Sequence, residues 1–384
     1  MTDVEFLTQL RGLAREFADM LRPTVLPVDR DPSLARTLLD SGLPWRQLMG
    51  LPAEYNPDPL RVGGRAVYLD KAVEQVTVLE ELARVDAAAV LAQPGPSMSG
   101  FVVSELADRK QYERYFTRLA EAPTWTFFGI TEPTHGSDPA SMTTAVRPDG
   151  AGGYHLTGTK RFVGNGARAG IGVVFARRRP GPLGIGAVLL ETDRPGFTGV
   201  PLETLGLRGL QLSELQMRDV PLTDDDLLGR DRSATRQGMW AAVRTFNRYR
   251  PVVSALALGV AQAAYDYAVE HGTRSTKDGR LAGFAERLNG TRTLILAAAR
   301  SADRDAADGT LASAAKIRAT RLAEELSIAA VDCFGPGARW DHPLLDKYVR
   351  DARAFEFMEG TSTIQRLNLA QAYLSGRLDD DRAA

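Results

Sequence analysis

Glu359 lies in the run Arg350-Asp351-Ala352-Arg353-Ala354-Phe355-Glu356-Phe357-Met358-Glu359-Gly360-Thr361-Ser362-Thr363-Ile364-Gln365-Arg366, a carboxylate between an apolar stretch and a glycine break. With Phe355, Phe357 and Met358 read as pocket wall, the carboxylate loses hydration and its pKa rises. It then becomes competent to remove a weakly acidic C–H proton. Gly360 lets the chain turn, and Thr361 or Ser362 caps the next helix, with Gln365 three residues after Ser362 completing a capping box. Local sequence alone favours a solvated loop acid, because isolated carboxylates are mostly exposed. The choice therefore rests on the rest of the chain.

Two other segments carry residues suited to chemistry. Phe127-Phe128-Gly129-Ile130-Thr131-Glu132-Pro133-Thr134-His135-Gly136-Ser137-Asp138 reads as a strand ending in a small polar turn. Its backbone N–H groups and hydroxyls suit a ring edge with carbonyl acceptors, or a phosphate. A plain strand-to-loop turn fits the same residues. Gly158-Thr159-Lys160-Arg161-Phe162-Val163-Gly164-Asn165-Gly166 adds an aromatic ring, and glycines that let a flat ligand approach the backbone. The plain alternative there is a bulged strand.

The elements that must position these residues fall into three parts. From Val4 to about Leu119 apolar residues recur at helical spacing, as in Phe6, Leu10, Leu13 and Phe17. Proline and glycine interrupt this part at Pro52–Gly64, read as a polar loop, and at Gln93–Gly100. From Thr124 short β-prone runs take over: Trp125–Thr131, Met142–Val146, Tyr154–Val163, Ile171–Ala176, Ile185–Glu191 and Leu210–Met217. Asp149-Gly150 and Arg179-Pro180-Gly181-Pro182 are the expected hairpin turns. Beyond Ser233 long helices return: Met239–Glu270 with a kink expected at Pro251, Arg280–Asp308, Leu311–Phe334, and Asp346–Leu378 broken at Gly360. The expected fold is thus α+β and multi-domain. An N-terminal helical domain (residues 1–122) is followed by a middle antiparallel β domain (123–232) and a C-terminal four-helix bundle (233–384). Ligand clefts favour domain junctions, which would set Glu359 across from the β domain.

Composition narrows the function. A formal net charge of −1, with 44% hydrophobic and 25% charged residues, fits a globular protein with no electrostatic bias toward nucleic acid. No apolar run approaches the ~20 residues of a spanning helix, and the first residues do not form a signal peptide, so no membrane role and a cytoplasmic location are expected. The one cysteine, Cys333, excludes an intramolecular disulfide, and the four histidines are too scattered for a metal site. Basic residues are nearly all arginine, with lysine only at 71, 110, 160, 277, 316 and 347. That bias reads as genome composition rather than chemistry.

Taken together, the two loops and the C-terminal junction resemble the acyl-CoA dehydrogenase family over nearly the whole chain, in the same α–β–α order. The family's Thr-Glu-Pro…Gly-Ser-Asp segment appears as Thr131-Glu132-Pro133 and Gly136-Ser137-Asp138, and its Arg-Asp-Ala…Glu-Gly-Thr-Ser-x-Ile-Gln-Arg segment as Arg350 to Arg366. Phe246-Asn247-Arg248-Tyr249-Arg250-Pro251-Val252-Val253 is similar to its first bundle helix. The resemblance implies FAD-dependent α,β-dehydrogenation of an acyl thioester, on CoA or on a carrier protein, with Glu359 abstracting the α proton and flavin N5 accepting the β hydride. It implies flavin contacts from Phe128, Ile130, Thr131, Phe162, Val163 and Thr361, and cofactor or pantetheine contacts from Ser137. Phe246 and Asn247 would line the pantetheine channel, and Gly360 would stand beside the substrate. An electron-transfer flavoprotein is the implied electron acceptor, and a homotetramer or dimer the implied assembly.

The departures from the family pattern cluster on the cofactor side. Gly164 stands where a threonine usually follows the aromatic-aliphatic pair, which removes a side-chain hydrogen bond near N5. A segment that reaches the neighbouring subunit's FAD is reduced to Arg274-Ser275-Thr276-Lys277-Asp278, with Arg274 left as the candidate phosphate contact. A second such segment reads Asp332-Cys333-Phe334-Gly335-Pro336-Gly337-Ala338, and Asp332 and Asp278 would repel a pyrophosphate. These changes leave two alternatives open: a flavin monooxygenase or oxidase on the same fold, or one subunit of a hetero-oligomer.

Overall fold

Apolar residues at Phe6, Leu10, Ala14 and Ala18 bury one face of α1 (Asp3–Asp19), which begins in a capping box between Thr2 and Glu5. The computed structural model describes residues 1–272 and 279–376. After α1 come the short helices α2 (Val25–Arg30) and α3 (Trp45–Leu48), then α4 (Ala72–Leu91), α5 (Ser97–Leu106) and α6 (Arg109–Glu121). Between α3 and α4 lies a two-stranded hairpin, β1 (Leu60–Val62) with β2 (Arg65–Val67), whose first strand falls inside the stretch expected to be a loop. It escapes the sequence pattern because three-residue strands are too short to show alternation.

The middle part is an eight-stranded sheet: β3 (Thr126–Gly129), β4 (Ala145–Pro148), β5 (Tyr154–Val163), β6 (Ile171–Arg177), β7 (Ile185–Glu191), β8 (Phe197–Pro201), β9 (Ser213–Leu222) and β10 (Leu227–Leu228). The order is β10-β7-β6-β4-β5-β9-β8, with β3 beside β6. Pairing is antiparallel except at β6, which takes β3 and the first residue of β4 in parallel. β3 arrives from α6 rather than from a hairpin, which permits that direction. β6 and β7 are buried along nearly their whole length. One side meets the helical residues Val102, Tyr115 and Ala241, and the other meets Leu156, Leu215 and Met217. Coverage of both faces explains their unbroken apolar runs.

The C-terminal helices are α7 (Gly238–His271), α8 (Phe284–Arg304), α9 (Thr310–Asp332), α10 (Ala338–Asp341), α11 (Pro343–Ala354) and α12 (Ser362–Leu374). α7 runs through Pro251 as one helix. By length and composition α7 is apolar enough to span a membrane, which corrects the reading of the sequence as free of such a run, but most of that stretch is buried in the protein. The helices at the two ends of the chain share one apolar core, from Phe6 and Leu82 to Leu256, Leu326 and Phe355. Asp303 of α8 even caps α4, accepting Ala72 N–H at 2.5 Å and Val73 N–H at 3.0 Å.

A buried charge cluster joins all three parts. Lys347 of α11 places Nζ 2.8 Å from Asp86 Oδ1 and 2.5 Å from Asp351 Oδ2, and all three residues are sealed from solvent. Asp86 sits where α4 breaks its helical geometry (φ −157°, ψ 103°). Asp351 Oδ1 accepts the Leu207 N–H at 2.6 Å, from the β domain. The neighbouring Arg350 reaches Asp29, Asp346 and the Leu205 carbonyl. Chain approach here is close enough that a Cβ on Gly206 would stand 2.2 Å from the Arg350 carbonyl oxygen. Burial opposes the Lys347 charge, yet Asp351 and Asp86 outweigh it and hold the ammonium protonated.

Lys347→Met leaves two buried carboxylates without a counterion, so the unfolding free energy in urea is expected to fall by about 3–5 kcal/mol. A loss below about 1 kcal/mol, the size of a surface pair, would mean the cluster is hydrated and not a joint.

Candidate active site

α11 stops at Ala354, one 3₁₀ turn follows (Phe355–Phe357), and α12 begins at Ser362. In the gap Glu359 and Gly360 are both left-handed, at φ 49° and 93°. Glycine takes this conformation freely, whereas for glutamate it costs on the order of 1–3 kcal/mol and needs support from its surroundings. Three side chains supply that support. Arg250 Nε donates to the Glu359 carbonyl at 3.1 Å. Gln365 Nε2 donates to the Glu359 and Gly360 carbonyls at 2.9 and 3.0 Å. Lys316 Nζ, fully buried, donates to the Glu356 and Gly360 carbonyls, both at 2.8 Å. The loop that carries Glu359 is therefore clamped from α7, α9 and α12 at once.

Several local expectations change. Gln365 completes no capping box: its amide is spent on the clamp, and Thr361 is the N-cap, with its hydroxyl accepting from Ile364 N–H at 3.5 Å. Ser362 turns instead to Glu356, donating through N–H at 2.8 Å and Oγ at 2.6 Å. Phe355 belongs to the common core and Phe357 is largely exposed, so neither walls the carboxylate.

The carboxylate itself is isolated. Glu359 is partly exposed as a residue, but its Oε2 is buried and has no hydrogen-bond partner among the described residues. The atom matters more than the residue average here, because it is the oxygen that must be solvated. Burial pushes the Glu359 carboxyl up to about 7, against the downward pull of Lys316 and Arg250. Those cations are depressed by burial in turn, Lys316 to about 8 and Arg250 to about 10. Both spend donors on backbone carbonyls, so neither neutralises the acid by direct contact. Tyr249 stands close enough for its hydroxyl, which donates to the Ser97 carbonyl at 2.6 Å, to feel the Glu359 charge.

On the sheet side, the Phe128 ring packs on Phe175 (5.1 Å between centroids) and edge-on to Phe246 (5.7 Å), linking β3 to α7. Ile130 is buried and Thr131 partly so, while Ser137 is exposed. A buried ion pair fixes the turn between them. Lys160 Nζ lies 3.0 Å from Glu132 Oε1 and 3.1 Å from the Ile130 carbonyl, and Glu132 also accepts from the N–H groups of Thr143 (2.7 Å) and Thr144 (2.8 Å). Burial alone would raise the Glu132 carboxyl, but these donors hold it at about 2. Phe162 presents its ring to solvent, 59% exposed, from left-handed backbone at φ 58°, and Val163 next to it is buried. At Gly164 a Cβ would meet Leu210 Cδ1 at 2.9 Å, so the leucine fills the space a side chain there would need.

Asn247 is not available to line a channel. It is buried, its amide donates to the Ala306 and Ala307 carbonyls at 3.0 and 3.2 Å, and its Oδ1 accepts from Arg250 Nη1 at 2.6 Å. Its contribution is to hold Arg250. Arg274 and Asp278 lie outside the described residues. Asp332 pairs with Arg280 at 3.1 Å on the surface. Nothing in the sequence pattern marks Arg250, Lys316 and Gln365 as clamps of the Glu359 loop. For Lys316 a signal existed: three of the six lysines, at 160, 316 and 347, are fully buried in an otherwise arginine-rich chain.

A folded carboxyl whose pKa exceeds its ordinary value binds its proton more tightly than the unfolded chain does. Glu359 therefore costs stability as pH climbs from about 4.5 through about 7. Glu359→Gln is expected to be more stable than the parent at pH 8, by on the order of 2–3 kcal/mol in denaturant titrations, and level with it at pH 4.5. Lys316→Met removes a cation that pulls this carboxyl down. The acidic limb of the kcat/KM profile should then move upward from about 7. An unmoved limb would show that Lys316 does not set the base.

Known proteins resemble this chain over nearly its whole length. The description "Acyl-CoA dehydrogenase, middle domain" matches residues 127–220, and "Acyl-CoA dehydrogenase, C-terminal domain" matches residues 236–374. An acyl-CoA dehydrogenase of Bacillus subtilis is 32% identical over 346 residues, covering 86% of this chain and 87% of that protein. The solved structure of butyryl-CoA dehydrogenase from Megasphaera elsdenii superposes with a TM-score of 0.83 at 27% identity, covering 97% of this chain and 99% of that one. A glutaryl-CoA dehydrogenase from Mycobacterium smegmatis in complex with FADH2 shares the fold, with a TM-score of 0.82 at 23% identity and coverage of 98% and 95%. The chain, an oxidoreductase acting on CH–CH groups, belongs to the acyl-CoA dehydrogenase family.

Proposed function

We propose that this chain oxidises the Cα–Cβ bond of an acyl thioester, with Glu359 as the general base and FAD as the resident cofactor. The observation that carries the reading is the Glu359 carboxylate: its Oε2 is buried and unpartnered, its pKa sits at about 7, and its backbone is clamped in a left-handed turn. A structural carboxylate would have a partner. A base for a carbon acid needs the opposite, a desolvated oxygen with a proton affinity matched to neutral pH.

The residues on the sheet side fit a flat aromatic cofactor. Phe162 holds an exposed ring on strained backbone, and the Arg161 Nε beneath it is buried without a partner among the described residues. Phe128, Ile130, Thr131, Ser137, Phe162 and Val163 would hold the FAD from this side, and Thr361 from the helical side. Arg274 is proposed for its phosphates from sequence alone. When bound, FAD supplies the acceptor for the hydride that leaves the β carbon.

The chain's own residues do the rest. Glu359 Oε2 takes the α proton, and the Glu359 N–H is proposed to donate to the thioester carbonyl, steadying the negative charge that develops there. Arg250, held by Asn247, and Lys316 keep the loop from relaxing to a right-handed conformation that would re-aim both groups. Phe246, stacked edge-on to Phe128, and Gly360 are proposed to border the substrate. Electrons would leave to an electron-transfer flavoprotein.

Purified protein is expected to be yellow, with about one FAD per chain, and to bleach when mixed with butyryl-CoA without oxygen. Glu359→Gln should keep the flavin and lose the bleaching by at least three orders of magnitude, the scale on which removal of a general base is felt. Bleaching that survives in the variant would remove Glu359 from the role.

A further inference from the structure

Tyr249 of α7 lies next to Arg250, which holds the Glu359 carbonyl, and none of the proposed contacts uses it. Phe246, Tyr249 and Val253 follow one another at spacings of three and four, so they share one face of the helix. Phe246 meets Phe128 of the sheet, with 5.7 Å between ring centroids, on the side where the thioester is proposed to lie. Val253 is sealed in the core that the two helical parts share, and the Tyr249 ring packs against that core. The cleft face of α7 therefore ends at Tyr249. Burial pushes the Tyr249 hydroxyl up to about 12, and the nearby Glu359 charge adds to the rise.

That hydroxyl reaches a second wall, donating to the Ser97 carbonyl at 2.6 Å. Ser97 opens α5 from left-handed backbone at φ 45°, a conformation that a residue other than glycine keeps only with support from its surroundings. The support is dense. The Pro96 carbonyl accepts from Ser99 Oγ and from the Tyr115 hydroxyl, both at 2.9 Å. The Gly95 carbonyl accepts from Thr126 Oγ1 at 2.6 Å, and the Gly95 N–H donates to the Thr124 carbonyl at 3.0 Å. At the end of α4 the Ala92 carbonyl accepts from Trp125 Nε1 at 2.6 Å. A Cβ on Gly95 would stand 3.2 Å from the Met49 carbonyl oxygen, so the turn has no space behind it into which to retreat. It is tied to the start of β3 on one side and to α6 on the other.

We propose that Tyr249 and the Ser97 turn form the end wall of the acyl pocket and restrict the substrate to short acyl thioesters, of butyryl size. This rests on the dehydrogenase reading, which sets the α carbon at Glu359 Oε2 and turns the β carbon to the sheet. From there the acyl tail runs toward the gap between α7 and the start of α5. An aromatic ring whose hydroxyl is bonded across that gap closes it. A pocket for a long chain needs an open passage at this point or a wall able to swing aside, and the hydrogen bonds at residues 92–97 oppose the swing. Because the hydroxyl is spent on Ser97, the wall meets the tail with the ring, and it discriminates by volume rather than by charge.

The test uses the full-length, FAD-loaded protein and reads binding by calorimetry, without turnover. The probes are CoA thioesters of butyryl and octanoyl size in which NH replaces the α methylene, so that the Cα–Cβ bond to be oxidised is absent. The parent is expected to bind the short probe about tenfold or more tighter than the long one, the scale on which a misfit in an apolar pocket is felt. Tyr249→Ala should raise affinity for the long probe by about tenfold or more and erase the preference. Tyr249→Leu, which keeps an apolar group against the core, decides by the same ratio if the alanine variant folds poorly, and should shift it in the same direction. The ratio of kcat/KM for butyryl-CoA and octanoyl-CoA should follow. The proposal is overturned if the parent binds both probes equally, prefers the long one or binds neither, or if folded variants keep the parent's ratio. If the short probe is preferred but butyryl-CoA leaves the flavin yellow, the dehydrogenase reading fails and the end wall stands.

Discussion

A single ammonium group, Lys347 Nζ, ties together parts of the chain that are hundreds of residues apart. Its two carboxylate partners come from a break in α4 and from its own helix, and the second of these holds the β-domain backbone at Leu207. A charge this deep is tolerated only while its partners stay in place, so geometry and solvation enforce each other. α11 is thereby fixed against both neighbouring layers just before the chain enters the loop that carries Glu359. The position of the Glu359 loop is inherited from this joint.

The Glu359 loop uses charge in the opposite way. Lys316 and Arg250 lie near Glu359 and could have formed ion pairs with it, which would have produced a stable and inert carboxylate. Their hydrogens go to carbonyl oxygens instead. The cations still lower the proton affinity of Glu359 from a distance, and burial raises it further than they lower it. The outcome is an acid that is half ionised near neutrality, held in a backbone conformation that a side chain other than glycine resists. The fold spends several buried donors on keeping one oxygen without any.

Much of this architecture is legible in the sequence. Helical spacing marked both helical parts, and β-prone runs between turn signals marked β5, β6 and β7 within a residue or two. Local pattern could not reveal the parallel pairing of β3, because direction depends on where the chain arrives from. It also could not separate the walls of the site from its supports. Phe355 and Asn247 look like lining residues by type, and both turn inward, one to the core and one to Arg250. Hydrogen-bond direction decided those cases, and no spacing rule encodes it.

The lysines carry a lesson of a different kind. Lys160, Lys316 and Lys347 each converge a compact ammonium on two or more oxygens in a space closed to water. A planar guanidinium is broader than such a seat and spreads its donors along a fork rather than from one nitrogen. Three of this chain's six lysines occupy such seats, although arginine is its usual cation. The same seclusion sorts the chain's amines for a chemist. Acylating or methylating reagents would find Lys71 and Lys110 on the surface and pass over the three that hold the protein together.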